Sequence, residues 1–365
     1  MMKNKFEFHG ENLRFARLFN GFSLPDLGEK VSASRQYIQK LETDPDTTPA
    51  DDMLLALSVA LDFDLGFFSI PVKSEVREED CHFRKLKTTP VNVRNRALTY
   101  GTIFSMIVSY LEKEFDLPTV NICSDFEHDE PMEKVAEKCR KYWGLGLSSP
   151  IDSMTRVIEN NGGVVTTFKD VSEKVDAFSY VRARPIVVRS TGKKSRSRAR
   201  FDLAHELGHM ILHQGIEAGD PILDEQANRF ASAFLLPRVA FLSEFSFTGR
   251  FNWSHMFDLK KRWGVSLAAI IRRAYDLEII DALQYRNANI YISKRGWKTN
   301  EPYESCIKEE KPEIVNLCFD QLEKAKGITP ADVAKHLYLR SWVFEKFNIK
   351  LSDNASNVVS LQQYR

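Results

Sequence analysis

The chain lacks the features that would place it in a special environment. Its five cysteines, Cys81, Cys123, Cys139, Cys306 and Cys318, are odd in number and fit neither a metal-ligand spacing nor a disulfide framework, so a reducing cytoplasm is the expected setting. No apolar run reaches transmembrane length and residues 1–10 do not read as a signal peptide, so no membrane partner is expected. The net charge of +1 is too small for a chain that as a whole clings to nucleic acid or to anionic lipid. No internal repeat or low-complexity tract is visible, which excludes a solenoid. What the chain does have is apolar material: 43% hydrophobic content over 365 residues is enough for two or three domain cores.

Residues 205–209, His-Glu-Leu-Gly-His, carry the strongest chemical signal. At 3.6 residues per turn, His205 and His209 project from one helix face, close enough for both imidazoles to hold one zinc ion. Catalytic zinc keeps three protein ligands and leaves a fourth position to water, whose pKa it lowers toward ~7. Glu206, turned about 100° around the helix, can take that water's proton and pass it to a leaving amine. Phe201, Leu203, Ala204, Leu207, Met210, Ile211 and Leu212 surround the motif with the apolar surface of a buried helix. His213 continues the four-residue spacing, but it could equally cap the helix end near Gly215 or face solvent, so it is left out of the ligand set.

A third ligand is expected from a second helix, opened by Asp224 and Glu225 and stopped by Pro237, with Phe230, Ala233 and Phe234 on its inward stripe. Asp224 lies one turn before Asn228. A carboxylate and an amide would then face the metal together, the amide holding a ligating histidine in its correct tautomer. The alternative for the acidic pair is helix N-terminal charge that complements the dipole.

Residues 150–237 resemble the ImmA/IrrE family of zinc metallopeptidases. The resemblance rests on Arg200-Phe201, Ala204 to His209, Ala227-Asn228, Phe230-Ala231 and Leu235 to Pro237. It extends to Pro150-Ile151, the turn and strand over residues 161–165, Ala177 to Ser179 and the strand from Arg184 to Val188. Phe257 to Ser266, Arg295 to Trp297 and Glu301-Pro302 are similar to longer relatives, which carries the likeness to about residue 345. It implies a zincin-like peptidase with a small sheet, zinc as cofactor, and cleavage of a partner repressor protein as the means of regulating transcription. The family usually has Glu where Asp224 stands. Asp is one methylene shorter, so either the helix sits closer to the metal or Glu225 takes the place.

The amino-terminal segment reads as four or five short helices from Leu13 to Leu61. Ser34 fits the N-cap of a recognition helix, leaving Arg35, Gln36, Gln39 and Lys40 to point outward. Residues 10–68 resemble the Xre-type helix-turn-helix of phage repressors, in which those positions touch base edges and phosphates. Leu24 stands where that family commonly has a Gln, and residues 1–70 hold seven Lys and Arg against eleven Asp and Glu, a net of −4. DNA binding would need a local basic face from Arg14, Arg17, Arg35 and Lys40, doubled in a homodimer; the alternative is a protein-docking or dimerisation module.

The resulting expectation is an α+β chain. An all-α helix-turn-helix domain over residues 1–70 is followed by a linker and helical segment over 71–132, a metallopeptidase core over 133–245 and a mainly helical carboxy-terminal region over 246–365. The end from Ser352 is expected to fray. The strand from Pro185 to Val188 is a candidate for pairing with an extended substrate. In the basic stretch from Lys193 to Arg200, one of Arg196, Arg198 and Arg200 would orient an acidic substrate or an oxyanion, unless the stretch is a solvated loop with Arg200 anchoring the fold. The functional expectation is a cytoplasmic zinc endopeptidase whose helix-turn-helix docks on DNA or protein. From another class, the alternative is a DNA-binding regulator whose metal site is structural or sensory.

Overall fold

The structure, a computed structural model, describes residues 7–72, 75–83, 90–127, 129–168, 177–190, 195–216 and 220–351. The tail from Ser352 and the Lys193-Lys194 part of the basic stretch lie outside these. Four helices open the chain: α1 (Gly10–Phe19), α2 (Leu24–Lys30), α3 (Arg35–Thr43) and α4 (Asp51–Leu61), closed by a 3-10 turn at Leu65–Ser69. Their ends follow the local chemistry. Ser23 forms a reciprocal capping box with Asp26, and the Ser34 hydroxyl accepts the Tyr37 amide at 3.1 Å. A buried two-pronged pair from Arg17 to Glu42, 2.6 and 2.7 Å, ties α1 to α3.

The first part of the segment from 71 to 132, expected as linker and helix, contains a 3-10 turn at Glu78–Asp80 and a strand β1 (Cys81–Phe83). The described part of this strand, three residues, is too short to show a period. Next come α5 (Val91–Glu114), α6 (Met132–Tyr142), α7 (Met154–Asn160), β2 (Val164–Phe168), β3 (Ala177–Val181), β4 (Pro185–Ser190) and α8 (Arg196–Leu212). The remainder is helical: α9 (Pro221–Leu235), α10 (Arg238–Glu244), α11 (Trp253–Trp263), α12 (Leu267–Asp276), α13 (Ala282–Lys294), α14 (Ile314–Lys326), α15 (Pro330–His336) and α16 (Ser341–Lys346). The fold is thus α+β, mostly helical around one small sheet, as the sequence predicts. No helix among the described residues is long and apolar enough to cross a membrane.

The sheet order is β1-β3-β4-β2, with β2 parallel to β4 and the other pairs antiparallel. Successive side chains of a strand face opposite sides, and here each side meets its own core. Val164, Phe168, Phe178, Tyr180, Ile186 and Val188 join a core with the first four helices, α5 and α14 to α16. Val165 and Val187 join the other, built from α6 to α13. Burial on both faces is the reason these strands show no clean alternation of apolar inner and charged outer residues. Aromatic contacts bind the amino-terminal helices to the first core: Phe19 stacks on Tyr100 at 4.1 Å and tilts against Trp342 at 5.6 Å and Phe347 at 6.1 Å.

A buried charge cluster fixes the start of the histidine helix. Arg200 donates to the carbonyls of Ile151 and Asp152 and, at 2.9 Å, to the Glu310 carboxylate. Glu310 also accepts from the Ser153 hydroxyl at 2.8 Å and from the amides of Met154 and Thr155 at 2.9 and 3.0 Å, so it satisfies the open amino end of α7. Arg196 donates to the carbonyls of Ser305 and Ile307. Arg200, buried and paired with Glu310, anchors the fold, which is the alternative weighed for it, while Arg196 is partly exposed and ties the start of α8 to the segment around Ser305. Arg198 is exposed.

Candidate metal centre

Helix α8 presents the motif from inside the second core, where His205 and Glu206 are fully buried and His209 nearly so. The Nε2 atoms of His205 and His209 lie 3.1 Å apart. Two nitrogens bound at 2.0–2.1 Å to one tetrahedral ion stand ~3.4 Å apart, so this spacing suits two imidazoles sharing one such ion to within a few tenths of an ångström.

Helix α9 supplies the third group. Capped by Asp220 and begun at Pro221, it places Asp224 in its first turn, with Oδ1 3.4 Å from His209 Nε2 and 3.8 Å from His205 Nε2. His205, His209 and Asp224 can converge on one ion. Glu225 is turned away, paired with Arg229 at 3.1 Å and Arg272 at 3.2 Å. Of the acidic pair, Asp224 is the member brought to the histidines. At Gly208 the two helices pack closely: a Cβ there would stand 3.1 Å from the Phe230 ring and 3.3 Å from the Ala227 Cα.

Each histidine is oriented through its other nitrogen. His205 Nδ1 lies 3.0 Å from Asn228 Oδ1, the contact expected of that amide. His209 Nδ1 lies 2.9 Å from Nδ1 of His213, whose Nε2 is 2.9 Å from Gln226 Oε1. His213 thus caps α8, as one of its two readings had it, and is not solvent-facing but the buried partner of His209. Burial pushes its pKa down to about 4, which keeps the ring neutral, able to accept on one nitrogen and donate from the other. A metal-bound His209 must carry its proton on Nδ1; His213 then accepts it and donates its own Nε2–H to the Gln226 carbonyl. The chain of bonds has one sense when Nε2 of His209 is to bind a metal. Helix α9 accordingly supplies a carboxylate and both terminal amides, of which Gln226 gives no sequence signal because its partner is set by helix packing. Gln226→Leu is expected to weaken zinc binding by about 10- to 100-fold in a chelator competition, with unchanged helix content. Unaltered affinity would remove Gln226 from this role.

Glu206 accepts a hydrogen bond from the Ser179 hydroxyl, Oγ to Oε2 2.6 Å. Ser179 sits on β3 between Phe178 and Tyr180, which face the other core, so strand alternation alone aims it at α8. A cleft of about 470 Å³ opens beside it, lined by Glu79, Asp80, Ser179, Val181, His209 and Gln214, among others. In contrast, β4 is paired on both sides, by β3 and β2. The strand from Pro185 to Val188 therefore has no edge to offer a substrate, which corrects its reading as the pairing strand.

At the other end of the chain, Ser34, Arg35, Gln36, Gln39 and Lys40 are all exposed on one end and outer side of α3. No shared site joins them to the buried histidines.

A buried pair of imidazoles, a carboxylate on the next helix and a glutamate beside them form the donor set of a metal-dependent hydrolase. Residues 159–275 match the peptidase M78 family, described as the IrrE N-terminal-like domain. The matched span carries β2 to β4, α8 and α9, and so every residue of this centre, and it supports a metallopeptidase role for that part of the chain. No curated protein matches the chain.

Proposed function

We propose that the protein is a cytoplasmic zinc-dependent endopeptidase that regulates transcription by cleaving a partner repressor protein. The observation that carries this is the convergence of His205 Nε2, His209 Nε2 and Asp224 Oδ1 beside a buried Glu206. These three residues would hold zinc, which when bound polarises a scissile carbonyl and acidifies water. Glu206 takes the proton of the attacking water and delivers it to the leaving amine, with Ser179 holding the carboxylate oriented through one oxygen. Asn228 and the His213–Gln226 pair keep the ligand rings in register.

The helix-turn-helix serves docking on DNA or on protein, and the exposed row of Ser34, Arg35, Gln36, Gln39 and Lys40 supports this. Two measurements test the whole. Purified protein should contain one zinc per chain and cleave a repressor encoded beside it. A gel shift of an operator fragment should weaken as salt rises and weaken further in Arg35→Ala/Lys40→Ala. Zinc-free protein, or zinc-loaded protein inert towards such repressors, counts against the peptidase; salt-independent retardation counts against phosphate contacts.

A further inference from the structure

An extended peptide held for hydrolysis pairs its main chain with a sheet edge beside the reacting centre. Here that strand is β3, since its Ser179 bonds Glu206 and its Val181 lines the cleft together with His209. Its outer edge is taken. β1 runs antiparallel along it, with Cys81 opposite Tyr180, His82 opposite Ser179 and Phe83 opposite Phe178. Just before β1, Glu79 and Asp80 line the same cleft as His209. We propose that residues 78–83 are a resident strap on the substrate edge, and that an extended polypeptide reaches the centre by displacing it. This rests on the peptidase reading above.

The fastening suits a strap that must come off. Asp80 accepts from Arg182 at 2.8 Å and from the Arg77 amide at 2.9 Å, while Glu78 pairs with Arg94 at 3.1 Å. The side chains of Arg182 and Asp80 are 29% and 27% exposed, and part-exposed ion pairs are individually weak and screened by salt. The buried Cys81 and the bond from the Val76 amide to Thr102 Oγ1, 2.9 Å, keep the strap in register without closing it permanently. Its upstream end is close to the helix-turn-helix: fewer than ten residues separate Ser69, the end of that module's last turn, from Glu78.

The test uses full-length, zinc-loaded protein with β-casein as an unstructured probe. Glu78→Arg/Asp80→Arg is expected to speed amide exchange at residues 178–181 and to raise kcat/KM by about tenfold or more, the factor by which a mostly closed site is under-populated. A synthetic peptide of residues 75–83 carrying Cys81→Ser should inhibit that variant competitively. The swapped pair Asp80→Arg/Arg182→Asp should return cleavage towards wild type, which separates release of the strap from damage to the fold. Unchanged exchange at 178–181, or exposed strand amides with lowered cleavage, overturns the strap. If the variant exposes those amides and the peptide protects them again while neither protein cleaves, the occupant stands and the peptidase reading falls.

Discussion

Glu206→Gln protein is expected to retain a full complement of zinc and to lose about 10²- to 10⁴-fold in kcat/KM. Glutamine keeps the shape of glutamate, and its carbonyl can still accept from the Ser179 hydroxyl that lies 2.6 Å from the native carboxylate, so the buried surroundings need not rearrange. The ligand nitrogens on either side are untouched, and binding through His205, His209 and Asp224 persists. What disappears is the ability to take a proton. His205→Ala is the opposite case: it deletes one of two nitrogens set 3.1 Å apart, and metal and turnover should vanish together. Metal analysis on the proteins used for repressor cleavage reads both outcomes. Full cleavage by the Glu206→Gln protein would end the assignment of this residue as base. A Glu206→Gln protein emptied of zinc would mean that the glutamate serves the metal site rather than the proton.

The second large effect is on stability. Removing Glu310 leaves the Arg200 guanidinium buried with its counter-charge gone, together with a hydroxyl and two amides at the start of α7. Both side chains are at most 4% exposed, and breaking such a pair on one side costs about 3–5 kcal/mol. For a chain of this size Glu310→Ala should lower Tm by on the order of 10 °C. Replacing both partners with apolar residues, Arg200→Met/Glu310→Leu, should recover much of that loss, because no charge is then stranded. Thermal unfolding of the three proteins decides it. A Glu310→Ala protein melting within a degree or two of wild type would show that the cluster is not holding α8 in place.

How much of this was legible beforehand depended on whether a residue's role is local. His205, Glu206 and His209 sit on one helix, and helix geometry alone predicts their convergence. Ser34 as a cap and Asn228 one turn after Asp224 follow from the same short-range rules. The choice between Asp224 and Glu225 was not local: it is made by which face of α9 packs on α8, and that face carries Asp224 while Glu225 turns to Arg229 and Arg272. Ser179 and Gln226 touch their partners across elements 27 and 13 residues away, and nothing near them in the chain announces it. Arg200 was legible only as two alternatives, because its acceptor Glu310 lies 110 residues downstream. Strand β4 misled for a related reason. Its apolar run shows that it is buried on both faces, but not that both of its edges are paired.

Strand β3 belongs to two halves of the molecule at once. Phe178 and Tyr180 are roots in the layer that contains the amino-terminal helices, while the residue between them touches the glutamate of the hydrolytic half. Cutting away the first seventy residues would leave Tyr100, Trp342 and Phe347 without the ring of Phe19, and Tyr100 is the ring that packs on Phe168 of the sheet. The catalytic half is thus not a module that can be lifted out: its floor is the ceiling of the other.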